Sequence, residues 1–288
     1  MRRVVFALVA GLAAGVPAAA QSTMPVKLKF AATAAGAPVT CASKIAGVGT
    51  TASTIGLIDF RFYVSRVRLV KADGGEVPVT LTQDGLWQLD DVALIDFEDG
   101  TGGCANGTAE TRDVVEGAVP AGRYTGLRFD VGLPFEKNHR DPTLQPSPLN
   151  LSRLFWSWNG GYKFMRFDIR STGQPRGWMV HLGSTACTPT GTPTTVPTSC
   201  ANRNVVTVGL QGFSPDRDVV EMDVLALLAE SNVDTNTEKT ALGCMSGATD
   251  PECTGLFGQL GLAIGDRPAG AQKVFRAKAA ATMAAERR

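Results

Sequence analysis

Few side chains in this sequence can do chemistry. Two histidines, His139 and His181, are the whole imidazole inventory of the 288 residues. Imidazole is a good ligand for copper, and a two- or three-coordinate Cu(I) site needs few donors. Either residue can equally be a satisfied structural histidine. The segment between them is rich in aromatics: Phe155-Trp156-Ser157-Trp158-Asn159-Gly160-Gly161-Tyr162-Lys163-Phe164. On a strand, Trp156 and Trp158 share one face. They are a stacking pair, a ligand platform with Tyr162, or two of the three indoles (with Trp87) whose chemistry matters. A second cluster, Leu89 to Gly100, carries Asp90, Asp91, Asp96, Glu98 and Asp99. It reads as a strand and an acidic turn. Clustered carboxylates also suit Ca2+, although the EF-hand spacing is not met.

Other chemistries find no support in the pattern. No GxSxG elbow, HExxH pair or phosphate-cradling glycine loop is present, so the chain is not expected to be an enzyme. The formal charge is +1, with charged residues at 19% and no long basic stripe. Nucleic acid and anionic membrane are therefore poor partners.

Residues 1–20 have the layout of a cleaved signal peptide. Arg2 and Arg3 are followed by an apolar run from Val4 to Val16 and by Ala18-Ala19-Ala20. That run is short for a membrane span, which needs about 20 residues. Residues 21–288 are then expected as one periplasmic domain without membrane insertion. Six cysteines in an oxidising compartment read as three disulfides. Cys187 with Cys200 and Cys244 with Cys253 close natural local loops, which leaves Cys41 with Cys104.

The elements that must position these residues are strands. Apolar and polar residues alternate at Val26-Leu28-Phe30, Phe60-Phe62-Val64, Leu127-Phe129-Val131, Met165-Phe167-Ile169, Trp178-Val180-Leu182 and Val206-Val208-Leu210, as half-buried strands require. The second run resumes in shifted phase at Val67 and Leu69, which predicts a β-bulge near Ser65. His181 and Met179 fall on the face opposite Trp178. The expected fold is mainly β: a single antiparallel β-sandwich or barrel-like domain with short helices and disulfide-stapled loops. Helix is expected at Val224–Ala229, at Leu151–Phe155 with Asn150 as cap, and along the alanine-rich tail 271–288.

The sequence resembles the MbnP family over most of residues 21–288. The resemblance is carried by Asp59-Phe60-Arg61-Phe62-Tyr63-Val64, Trp87-Gln88, Val92-Ala93-Leu94-Ile95-Asp96-Phe97-Glu98, Gly132-Leu133-Pro134-Phe135, Asn138-His139, Pro148-Leu149-Asn150, the Trp156–Phe164 stretch and His181-Leu182-Gly183-Ser184-Thr185. The family is described as the periplasmic four-Cys member of a "metallo-mystery pair". The resemblance implies a role in copper homeostasis. It also implies a MauG-like dihaem partner, MbnH, which oxidises a tryptophan to kynurenine. In the related copper proteins MopE and CorA, copper is bound through histidines and a kynurenine. By that analogy His139 and His181 are the metal ligands, and Trp158, Trp156 and Trp87 are the candidates for oxidation, in that order. A third donor is the modified indole, Met179, Met165, another side chain or water. Six cysteines in place of four make one disulfide peripheral. A metal-free module for carbohydrate or another small ligand, built on Trp156, Trp158 and Tyr162, is the alternative.

Overall fold

The computed structural model describes residues 22–280, apart from 106, 158, 191, 193 and 194. The expected signal peptide, Trp158 and the end of the tail (281–288) therefore lie outside the described residues. Each alternating run forms a strand. The principal ones are β1 (Thr23–Ala34), β2 (Ser53–Lys71), β3 (Val92–Asp96), β4 (Val114–Pro120), β5 (Tyr124–Val131), β6 (Phe155–Ser157) and β7 (Gly161–Tyr162). Further on come β8 (Met165–Ser171), β9 (Trp178–Leu182), β10 (Thr185–Thr188), β11 (Ser199–Asn202), β12 (Val206–Gln211), β13 (Asp218–Asp223) and β14 (Phe275–Ala279).

Two sheets share the core and no barrel closes. The larger runs β9-β8-β2-β5-β12, with β3 also paired to β2. The smaller runs β14-β13-β1-β4 and ends on Thr80–Leu81. Phe30 of β1 and Phe275 of β14 meet Phe62 and Phe129 of the larger sheet, with ring centroids 5.5–6.1 Å apart and edge-to-face geometry. Each such contact adds about 0.5–1.5 kcal/mol beyond the area it buries. β2 spans 19 residues. Only a bulge lets so long a strand serve partners along its whole length. Its register against β5 shifts opposite Ser65–Arg68, and Arg66 has φ +49°, where the phase change placed the bulge.

Three expectations need correction. Pairing is not wholly antiparallel, because β1 and β13 run parallel; the larger sheet lies between them in sequence and supplies the long crossover that parallel neighbours need. The tail does not form a helix at 275–279. Those residues are β14, hydrogen-bonded to β13, so ladder pairing and burial of Phe275 outweigh alanine's weak helical preference. Asn150 caps nothing: a 3-10 turn at Ser152–Leu154 has Leu151 at its N-cap, and Phe155 is already extended. Among the described residues the short α-helices are α1 (Phe135–Asn138), α2 (Val224–Leu228), as the sequence led us to expect, and α3 (Cys253–Leu260), which it did not. The disulfides pair as expected, Cys41–Cys104, Cys187–Cys200 and Cys244–Cys253. Among the described residues no helix is long and apolar enough to cross a membrane.

Candidate functional site

The strand register builds a ladder of charge across the larger sheet. Asp96, Arg61, Arg166 and His181 face one another across β3, β2, β8 and β9. Asp59, Asp168 and Met179 form the next rung. All point away from Phe60, Phe62 and Phe167, yet Asp59, Arg61, Asp96, Asp168 and His181 are buried. Arg61 grips Asp59 through both Nε (2.9 Å) and Nη2 and lies 3.5 Å from Glu98 Oε1. Arg166 bridges Asp59 (3.0 Å) and Asp168 (2.7 Å). His181 Nε2 ends the chain, 3.0 Å from Asp168 Oδ1. Both atoms are buried, and neither has another partner among the described residues.

Four carboxylates (Asp59, Asp96, Glu98 and Asp168) thus surround two guanidinium groups. Burial pushes the Asp96 carboxyl up to about 8 against the attraction of Arg61, and burial raises that of Glu98. Burial also works on Asp168, but His181 and Arg166 outweigh it and hold that carboxyl below its usual range. Burial, with Arg166 nearby, brings the Lys163 amine down to about 8. The acidic stretch expected to be a solvated turn therefore aims Asp96 and Glu98 inward. Arg61 is the positive charge that these two carboxyls face there.

A hairpin closes over the histidine end of the ladder. β6 and β7 pair through Phe155 and Tyr162, and the Trp156 ring lies 6.4 Å from that of His181. Gly183 makes this possible: a β-carbon there would sit 2.5 Å from the indole. Gly161 adopts φ +72°, with no room for a β-carbon against Asn138. Asn138 Oδ1 accepts from Tyr162 N at 2.8 Å, which ties α1 to the same hairpin. His139 caps α1 at its C-terminus. Its ring packs 5.1 Å from Phe135, and its Nε2 lies 3.1 Å from Asn138 Nδ2 and 3.4 Å from Cys200 Sγ. Cys187, bonded to Cys200, lines one open cleft with Trp156 and Met245.

Both histidine-bearing segments therefore touch one hairpin, and Trp156 lies between His181 and the cleft. The other expected residues are distributed differently. Trp87 lies half-buried against the core where the acidic stretch begins. Met165 is fully buried on the opposite face of the sheet from His181, so it offers that site no donor. Tyr162 is fully buried with its hydroxyl donating to Leu149 O, which removes it from any stacking platform. The sequence reading missed Asp168, Arg166, Asp59 and Gly183. A carboxylate alternating with Phe167 and Ile169 was the available signal. Met245 was missed too; Ser246, beside it, holds β9 by donating to His181 O at 2.9 Å and accepting from Gly183 N at 3.0 Å.

The chain is thus a two-sheet, disulfide-stapled β protein that packs His181 between buried Asp168 and the indole of Trp156. The chain belongs to the MbnP family, whose model matches residues 23–246. It is similar to MbnP from Methylosinus trichosporium, with a TM-score of 0.80 and 32% identity, covering 90% of this chain and 99% of that one. No curated protein sequence matches it significantly.

Proposed function

We propose that this chain is a periplasmic copper-binding protein of copper homeostasis, exported by its N-terminal segment and matured by oxidation of a tryptophan. The observation that carries the reading is His181, whose Nε2 lies 3.0 Å from buried Asp168 and whose ring has an indole packed on it. A carboxylate behind a ligating imidazole fixes its orientation and raises its basicity. With Asp168 at Nε2, the nitrogen offered to a metal is Nδ1. Asp168, held ionised behind His181, favours a cation there. His139 supplies the second imidazole. Such a donor set fits copper, which when bound would be held as a soft, low-coordinate ion.

An intact indole has no good lone pair for a metal. Opening its ring with two equivalents of peroxide adds two oxygen atoms and releases two waters. Hydrolytic loss of the formyl group then leaves an aryl amine and a ketone as donors. Trp156 is the indole beside His181, and Trp158, two residues on, is the other candidate in the motif. On this reading the protein is the substrate of a dihaem, MauG-like partner rather than an enzyme.

The test is intact mass and copper titration after treatment with the partner and peroxide. The expected result is the mass change of ring opening and deformylation, two oxygens gained and then one carbon and one oxygen lost with the formyl group, which Trp156→Phe or Trp158→Phe abolishes, with tighter copper binding in the modified protein. No mass gain overturns the maturation reading. Undiminished copper binding in His181→Ala overturns the ligand assignment. Asp168→Asn, which keeps the shape but not the charge, is expected to weaken copper binding by about 10–100-fold, as read by competition with a chromophoric chelator.

A further inference from the structure

We propose that Cys187 and Cys200, once reduced, form with His139 a second soft-metal site, a Cys2His set that shares His139 with the proposed copper site but uses neither His181 nor a tryptophan. The ligand atoms of these three buried residues all lie within 4.8 Å of one another. His139 Nε2 already stands 3.4 Å from Cys200 Sγ. A tetrahedral ion with metal–sulfur and metal–nitrogen bonds of ordinary length separates S and N ligands by about 3.5 Å and two sulfurs by about 3.8 Å. Cys200 Sγ already stands at ligand distance from the imidazole, and breaking the disulfide frees both sulfurs to separate around the ion.

The setting permits it. Cys187 and Cys200 face each other in the β10–β11 ladder, a two-stranded sheet separate from the two that share the core. Losing the bond therefore leaves the principal sheet hydrogen bonds in place. Cys187 lines the open cleft of about 330 Å3 beside Trp156, which gives a thiol a route to the sulfur.

The redox step balances with a dithiol reductant of the CxxC class. Its thiolate attacks one sulfur to form a mixed disulfide, and its second thiol resolves that intermediate. The protein disulfide gains two electrons and two protons, and the reductant becomes a disulfide. Binding of Cu(I) or a divalent ion then displaces the two thiol protons. Because His139 belongs to both sets, filling the reduced site withdraws that imidazole from the His181 side.

Cobalt(II) is the probe. The full chain is reduced with dithiothreitol, freed of reductant under anaerobic conditions and titrated. The expected spectrum has a thiolate-to-cobalt charge-transfer band and intense tetrahedral d–d bands, both absent before reduction. They persist in Cys244→Ser/Cys253→Ser and in His181→Ala, and vanish in Cys187→Ser/Cys200→Ser. His139→Gln shifts them and weakens cobalt binding by about tenfold or more. Absence of the charge-transfer band from the reduced wild type overturns the proposal. So do bands unchanged by His139→Gln, or bands lost only with Cys244 and Cys253, whose sulfurs lie beside Asp250. Copper titration of the oxidised protein separates the two readings. Loss of copper binding there with cobalt bands intact removes the His181 site alone.

Discussion

Arg61→Ala is expected to lower the unfolding free energy by about 3–5 kcal/mol, the cost of removing one partner from a buried ion pair. Arg61 is buried, and its guanidinium is the positive group that Asp59, Asp96 and Glu98 share. Alanine leaves Asp59 with Arg166 alone and takes from buried Glu98 the cation that offsets its burial. Arg61→Lys keeps the charge but loses the two-pronged grip on Asp59, so its cost is expected to fall well below that of alanine. The loss in Arg61→Ala should shrink on mild acidification, because protonated carboxyls no longer need the cation. Urea unfolding of the three proteins at neutral and mildly acidic pH measures all of this. An alanine variant within about 0.5 kcal/mol of wild type, the range of ordinary surface substitutions, would show that the ladder contributes nothing to stability.

This ladder marks the boundary of what the sequence displays. Phe60, Phe62, Phe167 and Val180 alternate with polar residues, and that period alone places β2, β8 and β9 in a sheet with one apolar face. The phase change after Val64 reveals the bulge, whereas six cysteines allow fifteen pairings, and short loops only suggest two of the three found. The same period sends Asp59, Arg61, Arg166, Asp168 and His181 to the other face, which an alternating strand would ordinarily give to water. Nothing local says that this face is covered. Its covering comes from segments far away in the chain: the β6–β7 hairpin, the loop stapled by Cys41 and Cys104, and the Gly243–Ser246 stretch that hydrogen-bonds along β9. The tail was misread for a related reason. Alanine favours helix by a few tenths of a kcal/mol per residue, whereas the open edge of β13 and the pocket for Phe275 are visible only in the folded molecule.

The site depends on this hidden polar face. A histidine on an exposed strand would rotate freely and bind metal weakly. His181 is held by backbone pairing on both sides of β9, by Asp168 behind its ring and by Trp156 over it. Gly183 and Gly161 let the hairpin approach β9 and α1 more closely than a β-carbon allows. Motif spacing therefore signals the presence of a site, while its electrostatics come from Asp59, Arg61, Arg166 and Asp168, which pattern reading treats as ordinary strand residues.

The same charges set an unusual dependence of stability on pH. Burial raises the Asp96 carboxyl to about 8 from an ordinary value of 3.8, and Glu98 shifts in the same direction. The folded state then holds a proton that the unfolded chain has released, so this contribution is complete below about pH 4 and is lost as pH rises towards 8. Asp168 and Asp234 have the opposite sign. Their lowered values stabilise above about pH 4 and fail in acid. Stability is therefore expected to peak in mild acid and to fall by up to about 1.4 kcal/mol per pH unit between about pH 5 and pH 8. Asp96→Asn removes the titrating group while its amide oxygen still accepts from Glu98 N, as Asp96 Oδ1 does at 3.0 Å. The variant should be more stable than wild type at pH 8, with a flattened profile across that window. Urea midpoints measured at intervals of one pH unit decide the matter. A flat wild-type profile, or an Asp96→Asn profile with the wild-type slope, would mean that Arg61 keeps Asp96 ionised in the fold and that the buried face carries its full negative charge at neutrality.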